Sequence, residues 1–140
     1  MKSFKLFMFL FLPLMIGAAV SSCASTDGGK GDVVVIESSE EFYELIEGDT
    51  PVMVDFYADW CRPCRIQGPI VEELATEMPG KVIVAKLDVD KFPRISSKYE
   101  VTGIPSIILF NNGKQIWKKV GLQQKPGLKA AIEAHLKSKS

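Results

Sequence analysis

The chain has 140 residues, 17 of them basic and 17 acidic, so its formal charge is zero, and no basic excess exists to track the phosphates of a nucleic acid. Hydrophobic residues make up 46% and charged residues 24%, which excludes a disordered or polytopic membrane chain and favours one globular domain. The three cysteines divide into a lone Cys23 and the close pair Cys61 and Cys64, a pattern that fits redox chemistry better than a disulfide-stapled scaffold.

The chain opens with Lys2 and Lys5, followed by an apolar run over residues 6–20 that only Pro13 and Gly17 interrupt. This has the form of a signal-peptide core and is short of the roughly 20 apolar residues of a membrane helix, although an uncleaved anchor is an alternative. The next residues, Val20-Ser21-Ser22-Cys23, resemble the lipobox of bacterial lipoproteins, a branched apolar residue and two small ones before a cysteine. The resemblance implies that residues 1–22 are a lipoprotein signal peptide and that Cys23 is lipidated and becomes the mature N-terminus. Several acyl chains make such an anchor stable, at about 0.8 kcal/mol per buried methylene. The expected location is the bacterial cell envelope, lipid-anchored and facing the periplasm or exterior; the alternative is simple secretion with a free thiol at Cys23. Loss of Lys2 and Lys5 leaves 15 basic against 17 acidic residues, a weakly acidic mature chain. Residues 23–32 contain Ser, Thr, Gly and charge with almost nothing apolar, and are expected to form a flexible tether.

Residues 33–140 carry the pattern of the folded domain. Residues 33–36 are β-branched and predict a short strand. Ser38 with Glu41 three residues on has the form of a capping box opening a helix to about Ile46, which Gly48, Asp49 and Pro51 then stop. Residues 52–57 (VMVDFY) are apolar on both faces except for Asp55, the pattern of a central strand covered on both sides. A helix is predicted over residues 61–78, kinked at Gly68-Pro69 and ended by Pro79-Gly80. Residues 82–87 form a second buried strand, so strand, helix and strand make a right-handed parallel unit. A short helix is predicted over 94–99. Strands at 107–110 and 115–120 flank Asn112-Gly113, a strong antiparallel hairpin signal. Residues 125–137 close the chain as a helix with Leu128, Ala131, Ile132 and Leu136 inward. The fold class is therefore α/β, a central mixed β-sheet flanked by helices.

The parallel unit places Cys61 and Cys64 at the N-terminus of its helix, where unpaired N–H groups and the helix dipole stabilise a thiolate. With two residues between them, the second thiol lies one turn in. Cys61 is expected to attack a substrate disulfide and Cys64 to resolve the mixed disulfide. A zinc site is not supported, since only Cys23 and His135 could add to the pair where four ligands are needed. An inert structural disulfide is the other alternative. His135, among lysines late in the last helix, reads as a solvated surface residue.

The stretch Val54-Asp55-Phe56-Tyr57-Ala58-Asp59-Trp60-Cys61-Arg62-Pro63-Cys64 resembles the active-site segment of thioredoxins. Pro69, residues 84–90 (VAKLDVD), residues 101–105 (VTGIP) and Val120-Gly121 extend the likeness in the family's order over about residues 33–136. The resemblance implies a thioredoxin fold and a protein-disulfide oxidoreductase without cofactor or metal, its redox centre the Cys61/Cys64 disulfide. Asp55, a carboxylate in a buried strand, should have a raised pKa, and the resemblance makes it the base for Cys64. Lys86 on the neighbouring strand would tune it. Trp60 would shield the nucleophile, a cis Ile104-Pro105 bond would present backbone to an extended substrate, and Gly121 would leave room for it. Arg62 and Pro63, between the cysteines, complete the substrate-facing set. Arg62 departs from the glycine most often found there, and an exposed cation should favour the Cys61 thiolate only modestly.

The expected function is extracytoplasmic reduction of protein disulfides by a lipid-anchored monomer, with a membrane thiol electron carrier as reductant. A disulfide oxidase or isomerase is the alternative, and a non-enzymatic binding module a further one. Pro63 and Ile104 favour reduction.

Overall fold

The computed structural model describes residues 31–138. The signal peptide, Cys23 and nearly all of the expected tether lie outside the described residues. Five strands, β1 (Val33–Val35), β2 (Val52–Tyr57), β3 (Ile83–Asp88), β4 (Ser106–Asn111) and β5 (Lys114–Val120), alternate with four helices, α1 (Ser39–Glu47), α2 (Arg62–Glu77), α3 (Pro93–Lys98) and α4 (Lys125–Ser138). The sheet order is β1-β3-β2-β4-β5, parallel through β1, β3 and β2 and antiparallel from β2 outward. The strand carrying Asp55 is thus central, as its two-sided apolar pattern requires.

Alternation along the strands divides the core into two layers. Val52, Val54, Phe56, Ala85, Leu87, Ile108 and Phe110 pack with α1 and α3, around Phe42, Ile46 and Ile95. Met53, Val84, Ile107 and Leu109 pack on the other face with α2 and α4, around Val71, Leu74, Leu128 and Ile132. Phe110 and Tyr99 meet edge to face, 4.9 Å between centroids, and Trp117 packs against the second layer.

Several boundaries differ from the sequence pattern for local reasons. Val82 is buried but precedes the ladder, and Asp88 takes the last position of β3 opposite Tyr57, because backbone pairing rather than side-chain polarity ends a strand. The third helix starts at Pro93, whose fixed φ suits the first helical position. At α1 the Ser38 side chain accepts from Glu41 N–H at 3.0 Å, but the Glu41 carboxylate accepts from Glu37 N–H at 2.8 Å rather than from Ser38, one residue outside the capping box. Helix α2 continues through Gly68-Pro69 to Glu77. Asn112 and Gly113 both have positive φ, +48° and +74°, as a tight hairpin demands, and Gly113 N–H donates to Ile46 O. The register slips between Leu109 and Phe110, leaving Ile116 unpaired and exposed on β5.

The free edges of the sheet are β1, three residues long, and β5, which carries Lys114, Lys118 and Lys119. Across the second layer, Lys125 of α4 bridges Glu73 and Glu77 of α2 at 2.8 and 2.5 Å. His135 corrects the sequence reading. It is half-buried, and its Nε2 lies inside without a hydrogen-bond partner, because position 135 sits one turn beyond Ile132 on the flank of the inward stripe.

Candidate active site

The β2–α2 turn puts Cys61 at the N-cap of α2 and Cys64 in its first turn, both nearly buried, joined as a disulfide with Cα atoms 5.3 Å apart. Cys61 N–H donates to Ala58 O, and Cys61 Sγ accepts from Cys64 N–H at 3.2 Å. A Cys61 thiolate would face the same N–H group and the positive end of the helix dipole. Arg62 and Pro63 occupy the first helical positions and are exposed.

The two cysteines and Ala58 form a small cluster against which Tyr57, Val89 and Ile104 pack. The Ile104-Pro105 peptide is cis. Gly121, at φ +88°, donates its N–H to Pro105 O at 2.7 Å, and the space where its side chain would stand is open. Trp60 is 69% exposed, and its Nε1 donates to Asp90 Oδ2 at 2.8 Å. Asp88 Oδ1 in turn accepts from Asp90 N–H at 2.9 Å. Trp60 is therefore a tethered surface ring; Asp90, its partner, lies in the family-like stretch 84–90, where the sequence reading assigns it no role of its own.

Asp55 is fully buried and neither carboxylate oxygen has a hydrogen-bond partner. Desolvation pushes its pKa up to about 7, against the opposing pull of Lys86. Lys86 is the register partner of Asp55 on β3, and its Nζ rests over the Tyr57 ring, 4.7 Å from the centroid. Lys86 also approaches α2 at Gly68, where an added Cβ would stand 3.5 Å from Nζ. A cavity of about 290 Å³ opens between Cys64, Gly68, Tyr57 and Lys86. Burial and the neighbouring Asp88, Asp59 and Asp55 push the Tyr57 pKa up.

The structure thus gathers Cys61, Cys64, Trp60, Arg62, Pro63, Ile104, Pro105 and Gly121 around one redox pair, with Asp55 and Lys86 in the sheet beneath. Sequence reasoning missed Tyr57 as the seat of the Lys86 ammonium. It also missed Gln67, a fully buried residue of α2.

The thioredoxin family model matches residues 33–134. The thioredoxin of Rickettsia felis is 49% identical over 85 residues, which cover 61% of this chain and 81% of that protein. The thioredoxin of Buchnera aphidicola subsp. Baizongia pistaciae is 38% identical over 105 residues, 74% of this chain and 96% of that protein. Among solved structures, the thioredoxin of Malassezia sympodialis is similar with a TM-score of 0.70 and 36% identity, over 76% of this chain and 93% of that one.

A mixed five-stranded sheet between helices, with a disulfide at the N-terminus of its crossover helix, is the architecture of a thiol-disulfide oxidoreductase. The chain belongs to the thioredoxin family. In that family the cysteine pair itself exchanges electrons with protein disulfides and no cofactor is needed. No cluster of side chains that could hold a metal ion occurs among the described residues.

Proposed function

We propose that this protein is a lipid-anchored, extracytoplasmic reductase of protein disulfides that acts as a monomer and is recharged by a membrane thiol electron carrier. The location rests on the lipobox-like Val20-Ser21-Ser22-Cys23 after an apolar leader. An oxidising compartment supplies no reductant of its own, so electrons must reach the domain from a carrier in the membrane.

Pro63 and Ile104 favour the reducing direction, and the observation that leaves it in place is the exposure of Arg62 at the first residue of α2. It is the one departure from the usual family pattern between the cysteines, and a solvated cation contributes at most about 1 kcal/mol to a neighbouring thiolate. That corresponds to roughly 20–30 mV for a two-electron couple, against roughly 150 mV between thioredoxin itself and strongly oxidising relatives. The pair therefore stays near the reducing end.

In the cycle, the Cys61 thiolate attacks one sulfur of a substrate disulfide, forming a mixed disulfide and releasing the other sulfur as a thiolate. Cys64 gives up its proton and attacks Cys61 Sγ. The second substrate thiol leaves, and the Cys61–Cys64 disulfide remains with two electrons passed to the substrate. Asp55, with its pKa near 7, accepts the Cys64 proton directly or through water. The substrate lies extended along Ile104, Pro105 and Gly121, beside Trp60 and Pro63.

The test is the reduction potential of Cys61 with Cys64, by titration against glutathione. A value near −270 mV, that of thioredoxin itself, supports the reductase; one near −120 mV assigns an oxidase.

A further inference from the structure

Gln67 is fully buried in α2, three residues after Cys64 and so on the same face of the helix. A buried amide destabilises a core unless both its ends are paired. Both ends are paired here, and with one residue. Gln67 Oε1 accepts from Gln123 N–H at 2.8 Å, and Gln67 Nε2 donates to Gln123 O at 3.2 Å. The side chain thereby pairs with the loop after β5 as a neighbouring strand would.

The connection continues beyond Gln123. Its own Nε2 donates to Gly121 O at 3.0 Å, and Gly121 N–H donates to Pro105 O at 2.7 Å. A hydrogen-bond chain thus runs from the helix of the cysteine pair, through the loop, to the cis-proline segment. On that loop and just before it, Val120 and Leu122 are exposed apolar residues flanking the open side of Gly121.

We propose that Gln67 is a positioning residue for protein substrates: it fixes the Gly121–Gln123 loop in register with Cys61 and Cys64. This rests on the reading that the Gly121 side of the site receives the substrate chain. An apolar side chain of equal length would fill the same core volume but leave Gln123 N–H and O without partners, and the loop would move independently of α2. Small disulfides need only reach the Cys61 sulfur and do not use the loop.

The test compares Gln67→Met with the parent chain in three readouts. The variant should raise KM for insulin reduction about fivefold or more, with kcat, the rate with 5,5′-dithiobis(2-nitrobenzoate) and the Cys61/Cys64 potential all unchanged. An unaltered KM overturns the proposal, and so does a parallel loss in both assays or a shifted potential, which would mean that Gln67 acts on the cysteines. Leu122→Asp separates the two readings. If it raises KM while Gln67→Met does not, the groove stands and the clamp falls; if neither does, the groove reading itself is lost. Should Gln67→Met fail to fold, hydrogen exchange of the parent chain decides. The Gln123 amide should be protected at least a hundredfold, and free exchange there would overturn the clamp.

Discussion

Asp55 and Lys86 stand opposite each other on β2 and β3, yet the ammonium rests on the Tyr57 ring and both carboxylate oxygens are left without a hydrogen bond. The lysine lowers the carboxyl pKa from a distance and does not neutralise it by contact, so burial wins and the group titrates near 7. An acid held there is charged or neutral in comparable amounts at physiological pH, the condition under which a general base works best.

Replacing Asp55 by Asn should therefore stabilise the oxidised protein at neutral and higher pH. The folded-state pKa of about 7 exceeds the ordinary carboxyl value of 3.8, so the folded chain binds more protons between the two. Stability contributed by the neutral acid is fully present below 3.8 and is lost as pH rises to about 7. At roughly 1.4 kcal/mol per pH unit the loss is about 4 to 5 kcal/mol. Urea melts at pH 4 and pH 8 should show near-equal midpoints for Asn and parent at pH 4, and a clear gain for Asn at pH 8. In stopped flow the same variant should form the mixed disulfide normally and resolve it slowly, with the deficit shrinking as Cys64 ionises at high pH. Slowing of the first attack alone would remove Asp55 from the resolving step.

Lys86→Met should raise the Asp55 pKa further, since the lysine is the group that holds it down. The pH profile of mixed-disulfide resolution should move to higher pH. A profile that stays in place would show that Lys86 and Asp55 are not coupled.

Arg62→Gly should make the pair more reducing by no more than about 30 mV. Glutathione titration of both forms measures it. A change several times larger would mean that the guanidinium is desolvated when the cysteines are reduced.

Cys23 should be acylated and form the mature N-terminus. Intact mass of membrane-purified protein should show the added chains, and Cys23→Ser should release the domain or block its processing. A soluble product beginning elsewhere would exclude the anchor.

The sequence conveyed the parts of this molecule that follow from chain-local rules. Asp55 stood out because it interrupts an otherwise apolar strand, and the Asn112-Gly113 hairpin because two consecutive positive φ values need such residues. The cis Ile104-Pro105 bond came only from the family likeness, as nothing local distinguishes it from a trans bond. Gln67 was hidden because a lone glutamine in a helix reads as outward-facing, and its partner is 56 residues away. His135 was misread for a related reason: neighbouring lysines describe a helix's solvent side, whereas the packing of α4 decides which flank is covered. Lys86 was placed beside Asp55 correctly, but its seat on Tyr57 depends on side-chain geometry that strand periodicity does not contain.

The lysines along β5 and the brevity of β1 bear on a hazard particular to a chain tethered as proposed. Molecules confined to a bilayer surface meet at high local concentration and in similar orientations, conditions that favour edge-to-edge joining of sheets into aggregates. A three-residue edge offers too few backbone groups to template a neighbour, and like charges at Lys114, Lys118 and Lys119 repel an identical strand approaching the other side. The exposed Ile116 sits at the bulge, where the irregular register spoils a continuous ladder. Both free edges of the sheet thus carry features that disfavour edge-to-edge pairing.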